Sequence, residues 1–153
     1  MTQLRDPVND GRRRMLGVLA AATSGELVDA IAHLGELPAT VDLKPAETGL
    51  VMLRGRIGGD GAPFNVGEAT VTRVVVRIAT GEVGYGYRLG RDRGAARNAA
   101  LIDALWQASH DRAGFEAGVL DPIRARVAAE SDRASREAAA SRVDFFTLSR
   151  ETS

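Results

Sequence analysis

Thr70-Val71-Thr72-Arg73-Val74-Val75-Val76-Arg77-Ile78 is the stretch that decides the fold. Seven of its nine residues are β-branched, and such side chains fit a pleated surface better than a helix. Alternation puts Arg73 and Arg77 on one face, and Thr70, Thr72, Val74, Val76 and Ile78 on the other. Downstream, Thr80-Gly81-Glu82 forms a short turn into Gly84-Tyr85-Gly86-Tyr87-Arg88-Leu89, which predicts an antiparallel hairpin. Upstream, Leu50-Val51-Met52-Leu53-Arg54-Gly55-Arg56-Ile57 reads as a further strand. Val51, Leu53 and Ile57 make its expected core face, with Arg54 and Arg56 on the opposite side. A short strand around Val41–Leu43 is expected to pair at an edge.

Helical periodicity brackets these strands. Met15, Leu16, Leu19 and Ala22 share a face of a helix starting near Asp10. Thr23-Ser24-Gly25-Glu26 is a capping box opening a second helix that buries Leu27, Ile31 and Leu34 and stops before Pro38. The two read as a helical hairpin lying on something flat. Asp92 is the expected cap of a third helix, with Ala99, Leu101, Ile102, Leu105 and Trp106 facing the sheet. At Leu120-Asp121-Pro122-Ile123 the pattern restarts, with Asp121 as N-cap and Pro122 at the first helical position. The helix from Pro122 to about Arg142 has only Ile123 and Val127 as large apolar residues. It is a good helix former with little to bury. Helices, then a hairpin sheet, then helices make an α+β protein with an antiparallel sheet of three to four strands. The 153 residues fit a single domain.

Composition excludes several functions. Cysteine is absent, which removes disulfides, thiolate catalysis and any cysteine-held iron–sulfur cluster. No apolar run approaches the roughly 20 residues of a membrane span, and the N-terminus lacks a secretory pattern. A cytoplasmic protein is expected. Twenty basic residues balance twenty acidic ones, so no net field favours nucleic acid. All basic residues but Lys44 are arginine. A GC-rich genome accounts for that, and so does a demand for the planar guanidinium, which suits phosphate, carboxylate and interface contacts.

One segment carries candidate chemistry. Gly58, Gly59 and Gly61 follow Arg54 and Arg56. Accessible amides in such a loop can cradle an anion, and the same composition serves as a tight connection. Glu68, Thr70, Thr72 and Arg73 follow the loop. The two threonines are either hydroxyls near a ligand or ordinary β-branched fillers, and Glu68 either acts at a site or pairs with an arginine. Gly84-Tyr85-Gly86 lacks the third glycine and the βαβ setting of a dinucleotide fingerprint. His33 and His110, each on a predicted helix, lie far apart. No metal-ligand cluster or catalytic triad is visible. No catalytic residue is assigned, and no cofactor is expected to be bound by this chain.

The same residues resemble the PhnG family of carbon–phosphorus lyase subunits. The matching pieces are Glu47-Thr48-Gly49-Leu50-Val51, Gly58-Gly59-Asp60-Gly61, Glu68-Ala69-Thr70-Val71-Thr72-Arg73, Gly90-Arg91-Asp92, Ala100-Leu101-Ile102-Asp103-Ala104-Leu105 and Ser141-Arg142-Val143-Asp144-Phe145-Phe146-Thr147. They occur in the family's order over nearly the whole chain. Arg91 thereby joins the candidate residues. Asp60 stands where the family more often has Thr. The resemblance implies a subunit of a complex with PhnI, PhnJ, PhnH and the ABC-type PhnK and PhnL. That complex transfers a phosphonate such as methylphosphonate onto the ribose C1 of MgATP and releases adenine. It implies further that radical cleavage belongs to another subunit, holding an iron–sulfur cluster and S-adenosylmethionine. A purely architectural subunit and a stand-alone phosphate- or nucleotide-binding module are the alternatives. Phe145, Phe146 and Leu148, following a polar helix, are expected to dock on a partner.

Overall fold

The structure, a computed structural model, describes residues 7–56 and 61–141. Its order is α1 (Pro7–Ala21), α2 (Ser24–Leu34), β1 (Thr40–Gly55), β2 (Phe64–Ile78), β3 (Val83–Leu89), α3 (Arg93–Ala108), α4 (Arg112–Phe115), a π turn (Glu116–Leu120) and α5 (Asp121–Ala140). The sheet is antiparallel in the order β1-β2-β3, which makes the protein α+β as the sequence predicts. Among the described residues no helix is long and apolar enough to cross a membrane.

β2 is the central strand, and its β-branched run supplies the sheet's contribution to the core. Val74 and Val76 pack on Ala96 and Ala100 of α3, and Ile78 packs on Leu101 and Ala104. The predicted turn closes the hairpin: Gly81, at φ 109°, takes a conformation that only glycine adopts freely. The expected edge strand at Val41–Leu43 is not separate. It runs into the next as one strand, with register shifts at Asp42/Lys44 and Lys44/Glu47. Pro45 sits in that irregular stretch, where its missing N–H removes no regular ladder bond.

The helical hairpin lies on α3 rather than on the sheet. α3 is buried on two sides: Ala96, Ala100, Ala104 and Leu101 meet the sheet, and Ala95, Ala99, Ile102 and Trp106 lie on the opposite side. Ala99, Ile102 and Trp106 face Met15, Leu19, Leu27, Leu120 and Ile123 in the principal core, not the sheet as expected. Leu101 alone of the predicted set packs fully buried on a strand, with Leu105 beside it. The capping box forms: Glu26 N donates to Thr23 Oγ1 at 3.2 Å and Thr23 N to Glu26 Oε2 at 2.7 Å. Asp92 caps α3 through Ala95 N (2.8 Å) and accepts from Ser24 Oγ (2.6 Å), tying the starts of α2 and α3 together.

The C-terminal helices depart from expectation. Asp121 is not an N-cap but lies in helical conformation, its N–H bonded to Glu116 O across the π turn. The turn's wider bonding leads into α5 without a break, so Pro122 follows a continuing helix. Asp121 pairs instead with Arg124 (2.7 Å). α5 is anchored by Ile123 and by Arg126, which reaches Glu26 Oε1 (2.6 Å) and Ala21 O (2.8 Å). Beyond Val127 its described side chains are exposed, as the polar sequence predicts. His110 lies between α3 and α4, not on a helix. Phe145, Phe146 and Leu148 lie outside the described residues.

Candidate functional site

β3 ends at Leu89, opposite Val71. Beyond that point β1 and β2 continue as a two-stranded arm, pairing Leu50 with Thr70, Met52 with Glu68 and Gly55 with Phe64. Roughly six residues at about 3.3 Å each carry it some 20 Å past the three-stranded sheet. The candidate residues distribute along this arm and at its base.

Arg54 and Arg56 are exposed at the far end, where Arg54 pairs in register with Asn65. Gly61 is half-buried and Glu68 exposed. Gly58 and Gly59 lie outside the described residues. At the base, Thr72 is fully buried. Its Oγ1 donates to Gly90 O at 2.8 Å, leaving Thr48 Oγ1, 3.2 Å away, to donate to it. The backbone of Thr70 is used at the same corner, accepting from Gly90 N at 2.8 Å. Gly90 has φ 91°, which lets the chain leave β3 and place exposed Arg91 just before the α3 cap. Thr70, Thr72 and Arg91 are therefore brought together. In Thr72 the hydroxyl holds the corner.

Arg73 points from the opposite face. It is 3.5 Å from Glu47 Oε2, and both side chains are about half exposed, so this pair is worth little to stability. Eight residues separate Asn65, the partner of Arg54, from Arg73, or roughly 25 Å along the strand. No single anion spans Arg54 and Arg73. Among the candidates, then, the arm end and the β3–α3 corner are separate places.

Sequence reasoning missed the arm's apolar surface. Leu53, expected in the core, is 46 % exposed, and Leu50, Met52 and Val66 exceed 60 % exposure. Phe64 adds an exposed ring. The signal was available: Leu50-Val51-Met52-Leu53 is apolar on both faces of its strand, as in strands covered on both sides. Two arginines beside it directed the reading toward an anion site.

Gly84 and Gly86 have a structural role. A methyl group on either overlaps a carbonyl oxygen of α3, Ala100 O and Ala96 O respectively. The glycines let helix and strand approach closely. β3 is locked from its open side too. Asp103, fully buried, accepts from Tyr85 N (2.8 Å) and from Arg12 Nε (2.9 Å) and Nη2 (2.7 Å), while Val83 O accepts from Gln107 Nε2 (2.8 Å) and Arg12 Nη2 (3.2 Å). The Asp103 bond raises the Arg12 guanidinium pKa against the opposing effect of burial. Arg88 donates to Leu19 O and Ala22 O at the C-terminal end of α1, and burial pushes its pKa down.

Comparison with known proteins gives a consistent picture. A family model described as "Phosphonate metabolism protein PhnG" matches residues 10–151. The α-D-ribose 1-methylphosphonate 5-triphosphate synthase subunit PhnG of Rhizobium meliloti (strain 1021) is 50 % identical over 139 residues, covering 91 % of this chain and 88 % of that protein.

Proposed function

This chain belongs to the PhnG family of phosphonate metabolism proteins, and from that premise we propose that it is a subunit of the enzyme that makes α-D-ribose 1-methylphosphonate 5-triphosphate. The observation that carries the reading is the 50 % identity to a subunit so named, spanning 91 % of this chain. In this reaction a phosphonate oxygen forms a bond to C1 of the ribose of MgATP. The C1–N9 bond breaks, and adenine leaves with a proton. The chain acts with PhnI, PhnH, PhnJ and the ABC-type PhnK and PhnL in the cytoplasm, and its own part is to support assembly and the productive arrangement of the site rather than to perform the displacement alone. Having no cysteine, it leaves the iron–sulfur cluster and S-adenosylmethionine of the later carbon–phosphorus cleavage to another subunit.

Purifying the complex from cells with and without this chain tests the reading, with adenine release from MgATP and methylphosphonate as the readout. Omitting the chain is expected to abolish adenine release. Unchanged release from a complex lacking it overturns the proposal. A second reading, in which the chain touches substrate, is favoured by the exposure of Arg54 and Arg56 at the arm end. In the double variant Arg54→Ala/Arg56→Ala, loss of release from an intact complex supports substrate contact, and loss of the complex supports an interface.

A further inference from the structure

The two edges of the sheet are treated differently. Along β3, Arg12, Asp103 and Gln107 occupy the outward-pointing groups Val83 O and Tyr85 N, which stops another strand from adding there. Among the described residues nothing comparable covers β1 between Glu47 and Gly55, whose backbone bonds run to β2 alone. The direction of those bonds follows from β2. Thr70 O faces β3, because it accepts from Gly90 N, so the even-numbered residues of β2 bond toward β3 and the odd-numbered ones toward β1. In the register Gly49↔Val71, Val51↔Ala69 and Leu53↔Gly67, the odd residues of β1 satisfy β2. Thr48, Leu50 and Met52 then point their N–H and C=O groups outward, unpaired among the described residues.

Leu50 and Met52 sit in the stretch whose side chains are apolar on both faces, and Thr48 lies just before it. A run of exposed apolar residues beside an open row of donors and acceptors fits an added strand. From these features we infer that the β1 edge from Thr48 to Met52 receives an extended, apolar segment of a different polypeptide, which adds a fourth strand and turns β1 into a central strand. A second copy of this chain fits poorly. Pairing about a two-fold axis perpendicular to the sheet matches residues of like parity. In registers centred on Leu50 or Val51, Glu47 then meets Leu53 or Gly55, and Arg54 meets Ala46 or Thr48, so no charge finds its opposite. The inference rests on the reading of this chain as a subunit, and it specifies the surface and mode of contact.

Hydrogen exchange, resolved residue by residue, tests it on the whole chain alone and in the co-expressed complex. The amides of Thr48, Leu50 and Met52 are expected to exchange freely in the isolated chain and about a hundredfold or more slower in the complex. Tyr85 N, already bonded, is expected to stay protected in both. Equal exchange at the three amides in both states overturns the added strand. Protection already present in the isolated chain also overturns it, assigning the edge to a second copy if it depends on concentration and to a segment of the same chain if it does not. Met52→Pro supplies a second test, because proline is tolerated where an edge N–H faces outward. The variant is expected to fold and to lose co-purification at least tenfold, whereas Met52→Ala, which keeps the N–H, retains more of it. Assembly of Met52→Pro at the wild-type level overturns the inference. Failure of the wild-type chain to co-purify at all counts instead against the subunit reading.

Discussion

Replacing Gly86 by alanine isolates the contact that joins α3 to the sheet. The added methyl overlaps the carbonyl oxygen of Ala96 and stands 2.8 Å from Val74 Cγ1 and 2.9 Å from the Ala96 carbonyl carbon. Ordinary contacts between carbons begin at roughly 3.5 Å, so both sides must give by more than half an ångström. Neither is free to do so, because Val74 and Ala96 are buried and Ala96 belongs to the backbone of a helix packed on its other side. Overpacking of this kind costs about 1–3 kcal/mol or more. Gly86 has no positive φ, so alanine also reduces the entropy of the unfolded chain, a gain of about 0.4–1 kcal/mol. The clash outweighs it, and a net loss of about 2 kcal/mol is expected. With a urea slope of about 2 kcal/mol/M, the unfolding midpoint should fall by about 1 M. Gly84→Ala, facing Ala100 O and lying 2.8 Å from Ala104 N, should behave alike. Gly49→Ala, with nothing within 4 Å, should match or exceed the wild type. Equal midpoints for Gly86→Ala and Gly49→Ala refute the reasoning.

The remaining predictions concern charge. Asp103→Ala removes a fully buried carboxylate with four donors on it, counting Gln107 Nε2 at 3.3 Å. Breaking such a network from one side costs about 3–5 kcal/mol, so calorimetry should show the melting temperature fall by roughly 10 °C, and a drop of only 1–2 °C contradicts the assignment. Glu26 is held below the ordinary glutamate pKa, first by the hydrogen bond from Arg126 and then by Thr23, against the opposing effect of burial. A carboxylate lowered by folding stabilises fully above its unfolded pKa, and that contribution is lost as pH falls through the lower folded value. Wild-type stability should therefore decline below about pH 4.3 more steeply than that of Glu26→Gln. The variant, whose amide can still close the capping box but which loses the charge facing Arg126, is expected to be less stable at pH 7 by up to about 1 kcal/mol, and denaturant titrations at pH 7 and pH 3.5 that show parallel losses would count against the linkage.

Local chemistry placed most of the elements. Seven β-branched residues in nine gave β2 no good alternative to a strand, Gly81 marked its turn, and the Thr23 and Asp92 caps set two helix starts within a residue. Where sequence reading went astray, the decisive partner lay far away in the chain. Asp121 followed by Pro122 looks like a helix start until the π turn carries the helix through it. The arginines of β1 and β2 look like one constellation until the register separates them along the arm. Thr72 is a candidate ligand group until Gly90, 18 residues on, takes its hydroxyl.

The sequence by itself determined the α+β class, the central strand, the family, and the inability of this chain to hold a cysteine-ligated cluster. These follow from residue type, local periodicity and ordered motifs, none of which needs a distant contact. Only the tertiary structure decided which faces are covered. It set α3 between the sheet and the helical hairpin, closed the β3 edge with Arg12, Asp103 and Gln107, and, among the described residues, left the β1 edge and the arm uncovered. Burial depends on what packs across from a residue, and alternation along a strand cannot say whether either face meets a partner.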